Sequence, residues 1–142
     1  MEVTLGCSMD TLRTNTAFRE YQVINVENPL YPGYLEHNYE EDIQYLRREI
    51  QQRLIIDGPY IDLNLGSPEP KARQLAQGKV LEAIAFAKQC GAEEIVFLST
   101  FLPFIGLASY ERGWITESLR SWEAIIERES DIHISLCNTF EY

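Results

Sequence analysis

The sequence predicts an α/β chain of about five parallel strands and four helices, and three observations carry that reading. Short apolar runs alternate with longer stretches of helical period. Turn-forming residues close each run. The order along the 142 residues reads βαβαβαβαβ, which implies parallel strands joined by right-handed crossovers.

The first strand is expected over 3–8, an apolar run ended by Met9-Asp10. A weakly helical stretch follows over 11–21. The second strand spans 21–26 and is closed by Glu27-Asn28-Pro29, with a loop marked by Pro32 and Gly33. Tyr39, Ile43, Leu46 and Ile50 then recur at steps of four, three and four, one apolar stripe of a helix. Asn38 is its expected N-cap, and Glu40, Glu41 and Asp42 suit the positive end of the helix dipole.

Leu54-Ile55-Ile56 is the third strand, stopped by Asp57-Gly58-Pro59. After a long loop, Pro70 opens a helix whose apolar stripe is Leu75, Ala76, Val80, Ala83, Ile84 and Ala87, with Gly91 at its end. The fourth strand is 95–98. Trp114, Ile115, Leu119, Trp122 and Ile126 are expected to line the fourth helix, and 132–136 forms the fifth strand. Periodicity fits both an open doubly wound sheet and part of a closed barrel.

Composition narrows the function classes. The net charge is −10, which disfavours nucleic acid, whose phosphates need clustered Lys and Arg. Arg47, Arg48 and Arg53 are the nearest thing to a basic patch and read as a solvated helix face. Three widely spaced cysteines argue against a disulfide framework and for a reducing compartment. There is no signal-peptide pattern and no apolar run of about 20 residues. The expectation is a soluble cytoplasmic protein with neither nucleic acid nor membrane as partner. No linker, low-complexity segment or internal repeat divides the chain, so residues 1–142 read as a single domain.

Three motifs carry a resemblance. Asp57-Gly58-Pro59-Tyr60-Ile61-Asp62-Leu63-Asn64 with Gly66-Ser67-Pro68 resembles the His-Gly-Pro-aromatic loop after the third strand of the xylose-isomerase-like (β/α)₈ barrels. Residues 95–99 and the helix around Trp114 and Trp122 are similar to the fourth βα unit. Residues 134–141 are similar to the fifth-strand motif Leu-Glu-Asn-x-Phe-Glu. The resemblance implies a partial TIM barrel, since a whole one needs about 250 residues. It also implies kinship with sugar and sugar-phosphate isomerases and epimerases and with endonuclease IV. The endonuclease reading ranks last, given the acidic charge.

Members of that superfamily hold divalent metals at the strand C-termini, where such an ion polarises a carbonyl or hydroxyl. Set against their pattern, Asp57 stands for a His, Leu98 for a His, and Cys137 for a metal-binding Glu. Aspartate can still ligate a hard cation, leucine has no donor atom, and a thiolate favours zinc over magnesium or manganese. Metal binding is therefore not expected of these positions. Asp57 also suits a turn cap, Leu98 barrel core, and Cys137 a small buried apolar position.

Asp57, Tyr60, Asn64 and Asn138 are the candidate substrate-binding residues. Glu27 and Glu141, at strand ends, are the candidate acid/base residues, each equally suited to a polar rim. The Asn64–Ser67 loop before Pro70 offers helix N–H groups to a phosphate but lacks a glycine-rich pattern. His133 reads as structural or surface, and His37 as solvated. A Cys137–His133 nucleophile pair fails, because four residues along a strand separate them by roughly 13 Å.

Two functional expectations follow from the resemblance. The first is a catalytically degenerate, sugar-isomerase-like half barrel acting as a binding or assembly module. The second is a metal-dependent sugar or sugar-phosphate isomerase or epimerase, using Mn, Zn, Co or Mg and completed by a second chain. Unpaired sheet edges and an unfilled barrel face call for cover, either by a second copy in a homodimer or by a complementing chain with the remaining strands.

Overall fold

The computed structural model describes residues 3–37 and 39–137. Its five strands are β1 (Thr4–Cys7), β2 (Val23–Val26), β3 (Arg53–Asp57), β4 (Glu94–Leu98) and β5 (His133–Cys137). They form one parallel sheet in the order β1-β2-β3-β4-β5. The four helices are α1 (Met9–Thr14), α2 (Glu40–Glu49), α3 (Pro70–Cys90) and α4 (Ala108–Arg128).

Sequential order separates the two architectures that periodicity leaves open. Right-handed crossovers between successive neighbours place every helix on the same face, as in a barrel wall. A doubly wound sheet reverses its order and receives helices on both faces. Burial agrees: Leu54, Ile56, Ile95 and Phe97 join the helix residues Leu12, Leu46, Val80, Ile84 and Ile125 in one core. Ile55, Val96 and Leu98 alternate with those strand residues, are half-buried, and lie outside that core. The sheet thus has a helix face and an open face. Along the register Gly6–Asn25–Ile55–Glu94–His133, the open face carries mostly polar residues.

Local chemistry sets the helix ends. Ser8 caps α1, its Oγ accepting from Thr11 N at 3.2 Å. The stretch expected as one helix over 11–21 is instead α1 followed by a 3₁₀ turn, Thr16–Glu20. Asn15 divides them, capping the turn through Ala17 N at 2.9 Å. Tyr39 is the N-cap of α2 and makes no side-chain cap bond, while Asn38 lies outside the described residues. Pro70 stands in the first turn of α3, and Gly91 ends that helix at φ +80°, a left-handed conformation that glycine adopts without strain.

Three expectations are corrected. Arg53 is not on a solvated helix face. It opens β3, where its Nη2 donates to Glu94 Oε2 at 2.8 Å. Leu75 is exposed, because α3 buries the face centred on Ala76, Val80, Ala83 and Ala87. The buried stripe of α4 is Trp114, Ser118, Ser121 and Ile125, with Trp122 half-buried beside it. Ile115, Leu119 and Ile126 lie one position further on and face outward. Serine is suited to the inward stripe because Ser121 Oγ donates to Leu65 O at 3.0 Å and accepts from Gln77 Nε2 at 3.0 Å. A buried hydroxyl with both partners carries little desolvation cost.

Among the described residues no helix is long and apolar enough to cross a membrane. Strands β1 and β5 each have a neighbour on one side only among those residues.

Candidate functional site

Polar side chains gather on the open face, at the C-terminal ends of β2 and β3. Asn25 stands within an otherwise apolar strand, Val23-Ile24-Asn25-Val26, and the alternation of the strand turns it away from the helices. Its Nδ2 donates to Asp57 Oδ2 at 3.1 Å. Its Oδ1 is buried and has no hydrogen-bond partner among the described residues. Glu27 follows β2 directly, its N–H held by Cys7 O at 3.1 Å. The Glu27 carboxylate lies over Gly6 of β1, so close that a Cβ on Gly6 would sit 2.5 Å from Oε1. Gly6 is therefore the residue that lets this carboxylate fold back across the end of the sheet.

The electrostatics of the group follow from this crowding. The Asp57 carboxyl is raised above its ordinary range, chiefly by burial, with the charge of Glu27 adding and the Asn25 hydrogen bond opposing. The Cys7 thiol is raised for related reasons, burial first and Glu27 second. Lower on the same face, Glu94 links Arg53 to Ser135, whose Oγ donates to Glu94 Oε1 at 2.6 Å.

The loops after β3 and β4 line an open cleft of about 630 Å³ beyond the ends of those two strands. Its walls include Tyr60, Leu63, Asn64, Phe101, Leu102 and Phe104. Asn64 anchors the wall: its Oδ1 accepts from Trp114 Nε1 at 2.9 Å and from Gly66 N at 3.0 Å. Gly66 is required there, since a Cβ would meet the Trp114 indole at 2.5 Å. Phe101 packs edge-on against Trp114 at 5.1 Å and stacks on Tyr110 at 5.7 Å.

The residues singled out in the sequence are distributed as follows. Asp57 and Glu27 meet around Asn25. Tyr60 and Asn64 line the cleft, with Asn64 engaged in holding α4 to the β3 loop. Leu98 is half-buried on the open face of β4. Cys137 ends β5 and is exposed, where a buried position is expected from the sequence. Asn138 and Glu141 lie outside the described residues. Asn25 is the member that sequence reasoning passes over, although a lone amide inside an apolar strand is a visible signal.

The donor set does not fit the divalent-metal site of the superfamily. Asp57 and Glu27 offer two carboxylates, the neighbouring strand presents the hydrocarbon of Leu98, and Cys137 is a soft, exposed thiol. Among the described residues no three His, Cys, Asp or Glu side chains converge.

No family model matches the chain, and no curated protein matches it by sequence. Solved structures do match. A D-tagatose 3-epimerase-like protein superposes with a TM-score of 0.73 at 18 % identity, over 100 % of this chain and 54 % of its own. The TTHB071 protein from Thermus thermophilus, soaked with ZnCl2, gives 0.76 at 25 % identity, over 99 % and 57 %. D-psicose 3-epimerase in the presence of D-fructose gives 0.67 at 14 % identity, over 97 % and 52 %. The chain spans about half the length of each. Its fold is that of about half a (β/α)₈ barrel, as the sequence resemblance implies.

Proposed function

We propose that this chain is a sugar-binding half barrel of the isomerase/epimerase kind, in which Asn25, Asp57 and Glu27 hold a hydroxylated ligand without the metal set of the superfamily. One observation carries the reading. The Asn25 amide donates one N–H to Asp57, and its buried acceptor oxygen has no donor among the described residues. A sugar hydroxyl supplies the missing donor once a small side-chain shift uncovers Asn25 Oδ1, and accepts or donates at the neighbouring carboxyls. An orphaned buried acceptor costs about 1–3 kcal/mol, which such a hydroxyl recovers. By itself the chain acts as a binding module, because Leu98 removes the ligand that a Lewis-acid mechanism needs.

D-fructose, the sugar present with one structural neighbour, is the first ligand to test. Saturation-transfer NMR is expected to detect its binding to the wild-type chain. Asn25→Leu should abolish that binding, and added Mn²⁺ or Zn²⁺ should leave the affinity unchanged. Stoichiometric metal in the purified chain together with epimerase turnover would overturn the proposal.

A second reading rests on the outward face of α4. Ile115, Leu119 and Ile126 form an exposed apolar stripe, and Leu136 of β5 is 51 % exposed. Together with the β5 edge, they suit a complementing chain that continues the barrel. Two copies of this chain bring ten strands, whereas a (β/α)₈ barrel closes with eight. The complement is therefore three further βα units, and the completed assembly would be the metal-dependent sugar or sugar-phosphate isomerase or epimerase. Sedimentation of the chain with a polypeptide spanning the other half of a structural neighbour should show a one-to-one complex. Ile115→Lys with Leu119→Lys should abolish it while leaving the melting temperature unchanged. Absence of any complex would sink this reading and leave the first intact.

A further inference from the structure

The cleft beyond the strand ends differs from the polar group in chemistry. Its walls are mostly hydrocarbon and aromatic: Tyr60, Leu63, Phe101, Leu102, Pro103 and Phe104. At about 630 Å³ it lies within the range that accommodates a drug-sized molecule. The polar atoms of its wall are few, and Asn64 Oδ1 is already shared among Trp114, Gly66 and Thr100. A free hexose placed against that wall would turn hydroxyls toward carbon and leave those hydroxyls unpaired. An apolar group gains instead by leaving water.

Charge narrows the ligand further. Among the described residues no Lys or Arg lines the cleft and Asp62 is its one charged wall residue, while Asp57 and Glu27 put carboxylates at the strand ends before the β3 loop. A phosphate ester would meet like charge and find no cation to bind it. The chain itself joins the two subsites: three residue steps separate Asp57 from Tyr60, at most about 11 Å between their Cα atoms.

Building on the sugar-binding reading above, we infer that the ligand is a neutral hydroxylated molecule bearing an apolar or aromatic substituent, such as an aryl glycoside, rather than a sugar phosphate. The hydroxylated part meets Asn25 and Asp57, and the substituent fills the cleft between the β3 and β4 loops.

A matched pair of probes tests this by calorimetry or ligand-observed NMR: methyl and benzyl fructopyranoside, with fructose 6-phosphate as the charged comparison. The benzyl compound is expected to bind at least tenfold more tightly than the methyl one, and fructose 6-phosphate more weakly than fructose. Phe104 is 81 % exposed and Leu102 39 %, so Leu102→Ser with Phe104→Ser should fold normally. That variant should erase the benzyl preference while methyl fructopyranoside binds as before. Equal affinity for the two fructosides, or tighter binding of the phosphate, would overturn the inference and leave the sugar-binding reading standing. Failure of every sugar probe to bind would overturn both.

Discussion

Asn25 Nδ2 lies 3.1 Å from Asp57 Oδ2 across the β2–β3 seam, on the face of the sheet opposite the helices of the described residues. This contact joins two residues 32 positions apart. It places a half-buried carboxyl beside a second one, Glu27, at the end of the strand where barrel enzymes work. Its first consequence concerns pH. Burial raises the folded-state pKa of Asp57 above the unfolded value, so over the interval between them the native state holds the extra proton. The ionised group therefore costs stability above its folded pKa, and the cost vanishes below the ordinary aspartate pKa of about 3.9. Asp57→Asn keeps an acceptor for Asn25 and removes the charge. Its urea midpoint should exceed that of the wild type at pH 7, and the two should converge as the pH falls toward 4.

Asn64 is expected to be a structural anchor whatever it contributes to a ligand. Asn64→Ala strips the acceptor from Trp114 Nε1 and Gly66 N. The loss should be about 1–3 kcal/mol in urea unfolding, as for other partly buried donors left unpaired. Asn64→Asp, which retains the acceptor, should recover most of it. Near-UV circular dichroism of Trp114 gives an independent measure, weakened in the alanine variant and restored in the aspartate one.

The thiols should separate by burial. Cys7 and Cys90 are buried and Cys137 is exposed. Burial pushes the Cys90 thiol up to about 12 and raises Cys7 as well, so neither offers thiolate at neutral pH. A disulfide reagent at pH 8 should titrate one thiol promptly in the native chain and all three in guanidinium. Prompt loss of two would contradict the burial of Cys7 at the end of β1 or of Cys90 at the end of α3.

Gly58 marks the tightest approach between a strand end and a core ring. A Cβ there would run into the Phe97 ring, which is 1 % exposed and packs at 5.3 Å against Trp122. Gly58→Ala should cost about 1–3 kcal/mol, the usual penalty for overfilling a closed core. Phe97→Leu makes room, so the double variant should lose less than the sum of the two single losses. Additive losses would place the strain elsewhere.

Much of this molecule is legible in the chain alone. Short apolar runs closed by turn residues define all five strands, and their alternation with helices requires parallel pairing. Pro70 and Gly91 mark the ends of α3 because their backbone preferences are local. Glu27 and Asp57 are recognisable as strand-end carboxylates for the same reason. What only the tertiary structure decides depends on distant neighbours. The register of α4 turns on Ser118 and Ser121, whose hydroxyls become acceptable inside only once Leu65 and Gln77 arrive to satisfy Ser121. Arg53 becomes part of the open face only when Glu94 stands on the next strand to receive it. The pairing of Asn25 with Asp57, and hence the candidate site, exists only after β2 and β3 lie side by side. Hydrophobic period is a property of a segment, whereas hydrogen-bond satisfaction is a property of a place, and the chain creates the place only by folding.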